Sequence, residues 1–153
     1  MVKNGIYIKT EGTELHIPIY DKITVITGDS ATGKTKMMGF LKACKNARKN
    51  NVKIESSIDM DDILLVTDED MLKMIIRTNE HEKIIFIDRF NNIYSQELLT
   101  FMNHSKNIFV IMGHRNISEL TSQDAVLAMK CDGNNYSCEQ IYKNGILHPI
   151  ERL

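Results

Sequence analysis

A glycine-bounded octapeptide, Gly28-Asp-Ser-Ala-Thr-Gly-Lys-Thr35, constrains the fold of this chain more than any other feature. A short β-branched run, Lys22–Thr27, stands directly before it and is typical of a buried strand. Apolar residues at helical spacing follow it from Gly33 to about Lys49. The pattern therefore predicts a strand, a tight loop and a helix in direct succession.

The loop has the chemistry of a phosphate-binding site. Its glycines let the backbone turn tightly and bring N–H groups against phosphate oxygens, and the helix directs its positive end to the same place. Lys34 is expected to neutralise the β- and γ-phosphates of a nucleotide, and the Thr35 hydroxyl to bind Mg²⁺. The alternative interpretation is a glycine turn with an exposed lysine. The predicted nucleotide-binding residues are Gly28, Asp29, Ser30, Ala31, Thr32, Gly33, Lys34, Thr35 and Lys36.

Polar residues also follow two other predicted strands. Asp88 ends the apolar run Ile84–Ile87, and we expect it to hold Mg²⁺ through water from a strand beside the motif strand. His114 and Arg115 follow the run Ile108–Met112, and parallel strands end at the same edge of a sheet. These two residues are therefore predicted to reach the γ-phosphate or the attacking water. The alternative roles are structural: Asp88 caps a turn, and the other two are an exposed loop pair.

The remaining pattern predicts an α/β fold. Strands alternate with helices, which favours a three-layer α/β/α arrangement around a mostly parallel sheet. Antiparallel hairpins are predicted at both ends of the chain, one over residues 6–20 and one around the turn Asp132–Asn135. Thr67 is predicted to cap a helix, and Asn116 or Ser118 to begin a short one.

The composition is that of an ordinary globular domain. Apolar residues make up 42% of the 153 residues and charged residues 25%, so we predict one domain, residues 1–153, with a buried core. With a formal net charge of −1, the protein as a whole is not attracted electrostatically to nucleic acid. The basic run Lys42–Lys53 still leaves nucleic acid open as a partner, and a solvated helix face is the other interpretation of that run.

The sequence predicts a cytoplasmic protein with no membrane contact. No apolar run approaches the ~20 residues that a membrane span needs, and Met1–Gly12 lacks the apolar stretch of a signal peptide. The three cysteines are expected to be reduced thiols, and their spacing is not that of a zinc site.

Taken together, these residues resemble the P-loop NTPase superfamily, and within it a reduced ABC/SMC-type, AAA-like ATPase core. Gly28–Thr35 matches the Walker A motif, Ile84–Asp88 the Walker B strand, and Phe109–Leu120 the segment that carries a switch histidine. The resemblance implies the P-loop fold, ATP and Mg²⁺ as cofactors, and ATP hydrolysis. Since a small chain with no appended domain must act on something else, we also expect a protein partner or self-association.

Two departures from the ABC pattern leave the activity open. No LSGGQ-like signature precedes the Walker B strand, and Arg89 stands where a glutamate polarises the attacking water. An arginine cannot serve as a base. Asp88-Arg-Phe90 is instead similar to a segment of thymidylate kinases in which the arginine helps position phosphates, although an arginine-rich lid is missing.

Three functions therefore remain: an ATPase coupled to a partner, a small nucleoside or nucleotide kinase, and a nucleotide-binding regulatory module that does not hydrolyse. ATP is favoured over GTP because the Asn-Lys-x-Asp guanine motif is missing.

Overall fold

The computed structural model describes residues 5–27, 33–47, 53–90, 95–113, 120–143 and 146–147. Its strands are β1 (Ile6–Thr10), β2 (Thr13–Ile17), β3 (Ile23–Thr27), β4 (Glu55–Ser56), β5 (Ile63–Val66), β6 (Ile84–Ile87), β7 (Ile108–Met112), β8 (Val126–Asp132), β9 (Asn135–Gln140), β10 (Tyr142–Lys143) and β11 (Ile146–Leu147). The α-helices are α1 (Lys34–Ala47), α2 (Glu69–Thr78) and α3 (Gln96–His104).

Nine strands form one curled, mixed sheet in the order β4-β1-β2-β9-β8-β3-β7-β6-β5. The strands β8, β3, β7, β6 and β5 run parallel to one another. The pairs β1–β2, β1–β4 and β8–β9 are antiparallel, and β2 joins β9 in parallel. Strands β10 and β11 form a separate antiparallel pair.

The predicted three-layer α/β/α fold around a mostly parallel sheet is wrong. Four of the nine strands lie outside the parallel group, the sheet curls, and three α-helices are found among the described residues. The two terminal hairpins were correctly predicted, but they merge into the main sheet because β2 pairs with β9, with Leu15 opposite Tyr136. The alternation of apolar and polar residues in a hairpin predicts which face is buried. It does not specify which other strand the hairpin pairs with.

Helix α1 lies in the hollow of the curled sheet. Its buried residues Met37, Leu41 and Cys44 share one core with Ile6 of β1 near one end of the sheet and Ile63 of β5 at the other. We call this side of the sheet the α1 face. Because strands from both ends of the sheet contribute to this core, burial of the helix and curling of the sheet depend on each other.

The opposite side of the sheet, the α2–α3 face, holds a second core. Leu72 of α2 and Leu98 of α3 pack there against Phe109 and Ile111 of β7. Phe101 meets Phe109 edge to face, with ring centroids 5.9 Å apart. The all-apolar strand β6 serves both cores, since alternate residues of a strand point to opposite faces.

Side-chain caps begin α2 and α3. The Asp68 carboxylate accepts from the Met71 N–H at 2.9 Å, and the Ser95 hydroxyl accepts from the Leu98 N–H at 3.1 Å. The prediction of Thr67 as the α2 cap is therefore wrong by one residue, because a carboxylate is available at the next position. The short helix predicted to begin at Asn116 or Ser118 lies outside the described residues. No helix in the described part of the chain is long and apolar enough to span a membrane.

Lys45 of α1 occupies part of the outer edge of β5. Its Nζ donates to the carbonyl of Met60 at 2.9 Å and to the carbonyl of Ile63. The N–H of Ile63 also donates to Met60, at the end of the 3₁₀ turn Met60–Asp62. Both backbone groups of the first β5 residue are thus engaged outside the sheet, which limits pairing of this edge with another strand. Burial lowers the pKa of Lys45, and Asp61 opposes that shift.

We expect Lys45→Met to lower the free energy of unfolding by about 1–3 kcal/mol, because two carbonyls lose a charged donor. Urea unfolding measures the change. Lys42→Met, on the exposed side of the same helix, is the control and is expected to change stability by less than about 0.5 kcal/mol. Equal stability of the two variants would contradict this role of Lys45.

Candidate phosphate-binding site

The strand and the helix that the glycine motif requires are both present. Strand β3 ends at Thr27, and α1 begins at Lys34. Gly28, Asp29, Ser30, Ala31 and Thr32 lie outside the described residues. The described part of the motif is therefore Gly33 and the first turn of α1.

Gly33 occupies a position that only glycine fits without strain. Its φ is +96°, and a Cβ built on it would lie 3.0 Å from the Cβ of Cys131 and 3.5 Å from its Sγ. The Gly33 carbonyl accepts from the Met37 N–H at 2.9 Å and so starts α1. No sequence signal indicates the contact with Cys131, because the two residues are distant in the chain and belong to unrelated local patterns.

The first turn of α1 contains two lysines and no acidic residue. Lys34 is half-buried there, and Thr35 and Lys36 are exposed. The first turn of α2, by contrast, contains Glu69 and Asp70. A helix N-terminus carries a partial positive charge of its own, so two lysines at that end raise the local potential further. This end of α1 is therefore suited to an anion.

The carboxyl ends of β3, β7 and β6 meet at one edge of the sheet, which we call the carboxyl edge. Ile26 of β3 is opposite Met112 of β7, and Ile111 is opposite Ile87 of β6. Strand β7 thus lies between the other two, and the expectation that the strand of Asp88 lies beside the motif strand is wrong. The order of parallel strands depends on crossover connections, which local sequence does not specify. At about 4.8 Å between neighbouring strands, the backbones of Asp88 and Thr27 are roughly 10 Å apart.

At this edge, the connections that follow β3 and β7 lead to opposite faces of the sheet. The connection after β3 runs through α1 on the α1 face. The connection after β7 includes Leu120, which packs with the core of the α2–α3 face. The Thr121 hydroxyl then donates to the carbonyl of Ile23 at 2.6 Å. In open sheets with parallel strands, such a switch in direction is where ligands bind.

Asp88, Arg89 and Phe90 form a tight turn at the end of β6. The Asp88 N–H donates to the carbonyl of Val66 at 3.0 Å, and its Oδ1 accepts from the Arg89 N–H at 2.9 Å. Arg89 is exposed with φ at 53°, a conformation uncommon for residues other than glycine. Phe90 is buried in the core of the α2–α3 face and anchors the turn. The Asp88 carboxylate therefore caps this turn, which is the structural alternative that the sequence allowed.

The other predicted site residues are placed only in part. His114 and Arg115 lie outside the described residues and follow Gly113, the residue after β7. The predicted Mg²⁺ ligands lie on different elements, Thr35 in α1 and Asp88 after β6. No cluster of three or more metal-ligating side chains occurs among the described residues.

The three cysteines are free thiols in different environments. Burial raises the pKa of Cys44 to about 11 and that of Cys138 to about 12. Cys131 is half-buried, and its Sγ donates to the carbonyl of Gly133 at 3.4 Å. Its direct partner across the β8–β9 pairing is Tyr136.

Comparison with known proteins gives no family assignment. No family model matches the chain, and no curated protein matches it at a significant level.

We expect Gly33→Ala to lower the free energy of unfolding by about 1–3 kcal/mol, because the new Cβ is strained at this φ and meets Cys131. The matched control is Gly39→Ala in the same helix, where a Cβ meets nothing within 4 Å. This control is expected to stabilise the protein by about 0.5–1 kcal/mol. Thermal and urea unfolding measure both variants, and stabilisation by Gly33→Ala would disprove the close approach to Cys131.

At pH 8, we expect iodoacetamide to alkylate Cys131 well before Cys44 and Cys138. The thiolate is the reactive form, and burial keeps the two other thiols protonated far above pH 8. Peptide mass spectrometry at a series of times measures the three rates. All three thiols should react at similar rates in urea, and similar rates in the folded protein would contradict the described burial.

Proposed function

We propose that this chain is a P-loop type nucleotide-binding protein that binds MgATP at its carboxyl edge. The observation that carries the proposal is the first turn of α1, where Lys34 and Lys36 add charge to a helix N-terminus and no acidic residue occurs. This turn follows a parallel strand and a glycine motif. The connections after β3 and β7 lead to opposite faces, and such a change of face is where sheets of parallel strands commonly bind ligands. We propose ATP rather than GTP as the nucleotide because the sequence lacks the Asn-Lys-x-Asp guanine motif.

Each site residue has a role in this proposal. The backbone of residues 28–33 would surround the phosphates, Lys34 would neutralise the β- and γ-phosphates, and the Thr35 hydroxyl would bind Mg²⁺. Asp88 would hold the same ion through a water molecule, which suits a backbone separation of roughly 10 Å from β3. His114 or Arg115, after β7, would contact the γ-phosphate.

We further propose slow ATP hydrolysis coupled to a protein partner or to self-association, in the cytoplasm. Arg89 follows the Asp88 carboxylate and cannot accept a proton from water, so the base must come from another residue or from the partner. A regulatory module that binds nucleotide without hydrolysis is the alternative if no such base is supplied. Nucleic acid stays a secondary candidate partner, through exposed lysines such as Lys42.

One observation favours a small kinase as the second candidate function. The turn at Asp88 holds Arg89 exposed at the carboxyl edge in a left-handed conformation, and such strain is common at functional sites. From there a guanidinium could pair with the phosphates of an acceptor. Incubating the protein with ATP and a panel of nucleosides and monophosphates tests this function. A phosphorylated product that is lost in Arg89→Ala would support it, and no product across the panel would exclude it.

We expect Lys34→Ala to weaken MgATP binding about 10- to 100-fold, since a hydrogen bond between charged groups, such as ammonium and phosphate, contributes about 1.5–3 kcal/mol. Calorimetric titration measures binding, and phosphate release measures turnover. Lys42→Ala, two turns further along α1, is the control and should leave both unchanged. Unaltered affinity in Lys34→Ala would remove the basis of the proposed function, and turnover lost only in that variant would establish an ATPase.

We expect Asp88→Asn to abolish the gain in ATP affinity that Mg²⁺ provides while preserving the fold. Asparagine retains an oxygen that can accept from the Arg89 N–H but loses the charge that attracts the cation. Titrations with and without Mg²⁺, next to a thermal melt, measure the two effects separately. An unchanged Mg²⁺ dependence would mean that Asp88 only shapes the turn.

A further inference from the structure

The proposed site residues define how a bound nucleotide would be oriented along the carboxyl edge. Strands β6 and β7 both lie on one side of β3. In the chain, Asp88, assigned to the metal, follows β6, and His114, assigned to the terminal phosphate, comes after β7. The phosphate chain would start over the N-terminus of α1, next to β3. The nucleoside would then leave on the other side of β3, which is the side of β8.

The β8–β9 turn lies on that side, at the end of the strand next to β3. Cys131, near the end of β8, approaches Gly33 so closely that a Cβ on the glycine would lie 3.0 Å from the cysteine Cβ. The Cys131 Sγ also donates to the carbonyl of Gly133 in the turn. The glycine that opens α1 therefore packs against the end of β8 that leads into the β8–β9 turn.

The turn offers polar groups that suit a nucleoside. Asp132, Gly133, Asn134 and Asn135 are all exposed, and Asp132 pairs with Asn135 across the two-residue loop. A carboxylate accepts from ribose hydroxyls, and an amide both donates to and accepts from the edge of a base. Gly133 has φ at 63°, which allows the turn to stay this short.

A second turn reaches the same edge but lies further away. Glu11 and Gly12 join β1 to β2, and the strands β9 and β2 separate β1 from β8. This turn provides the natural comparison for the β8–β9 turn, since it shares the edge but does not border Gly33.

Resting on the proposed function, we infer that the turn Asp132–Asn135 is the nucleoside-recognition element of this protein, contacting the ribose and base of a bound nucleoside triphosphate. It acts on the part of the ligand that the phosphate loop does not touch. Its contribution is therefore separable from phosphate binding.

Affinities for MgATP and for inorganic tripolyphosphate with Mg²⁺ provide the test, measured by calorimetry on the full chain. Asp132→Ala and Asn134→Ala are each expected to weaken MgATP about three- to tenfold, the range for one hydrogen bond, and to leave tripolyphosphate within about twofold. Glu11→Ala is the matched control and is expected to change neither affinity. Lys34→Ala should weaken both ligands.

The outcomes separate the two proposals. If the wild-type protein binds neither ligand, the proposed function fails, and this inference fails with it. If it binds both, and the two turn variants lose nothing or lose both ligands equally, only the inference fails. A selective loss of MgATP in Glu11→Ala alone would also overturn it and place the nucleoside at the β1–β2 turn.

Cys131 provides a second readout that needs no variant. MgATP is expected to slow alkylation of this thiol several-fold, whereas Mg²⁺ with tripolyphosphate leaves the rate near that of the free protein. Equal rates with the two ligands, under conditions where both are bound, would show that the nucleoside does not cover this side of the site.

Discussion

The burial of α1 in the hollow of the curled sheet is the interaction on which the rest of the structure depends. Met37 and Leu41 contact a core built from strands near both ends of the sheet, so the helix holds the N-terminal hairpin and the parallel strands in one body. Gly33 lets the helix begin close against β8, and Lys45 connects its last turns to the edge strand β5. A single helix thus determines the positions of the proposed phosphate-binding end, the β8–β9 turn and one edge of the sheet.

Much of the local structure could be predicted from the sequence, and the sheet could not. Apolar runs such as Ile84–Ile87 and the turn Asp132–Asn135 are local signals, and both the strand and the hairpin were predicted correctly. The parallel pairing of β2 with β9 joins residues from opposite ends of the chain, and no local pattern encodes it. The predicted architecture failed for that reason, although most of its elements were right.

In the candidate site too, local features could be predicted from the sequence and tertiary contacts could not. The motif around Lys34 is contiguous, so a phosphate-binding role is predicted from residue types and spacing alone. The contact between Gly33 and Cys131, the left-handed backbone of Arg89 and the strand between Asp88 and the motif all depend on tertiary structure. In the proposed site, the position of Asp88 two strands from β3 suits the water-mediated role better than direct contact with Mg²⁺, and this position could not be read from the residue type.

The two bonds from Lys45 couple distant parts of the molecule. The N-terminus of α1 lies at the carboxyl edge, and Lys45 stands roughly 16 Å along the same helix, at 1.5 Å per residue. An anion that stabilises the first turn also lowers the frequency with which the whole helix opens. Amide exchange at Ile63 would slow accordingly, and the first residue of β5 would become a remote indicator of whether an anion occupies the carboxyl edge.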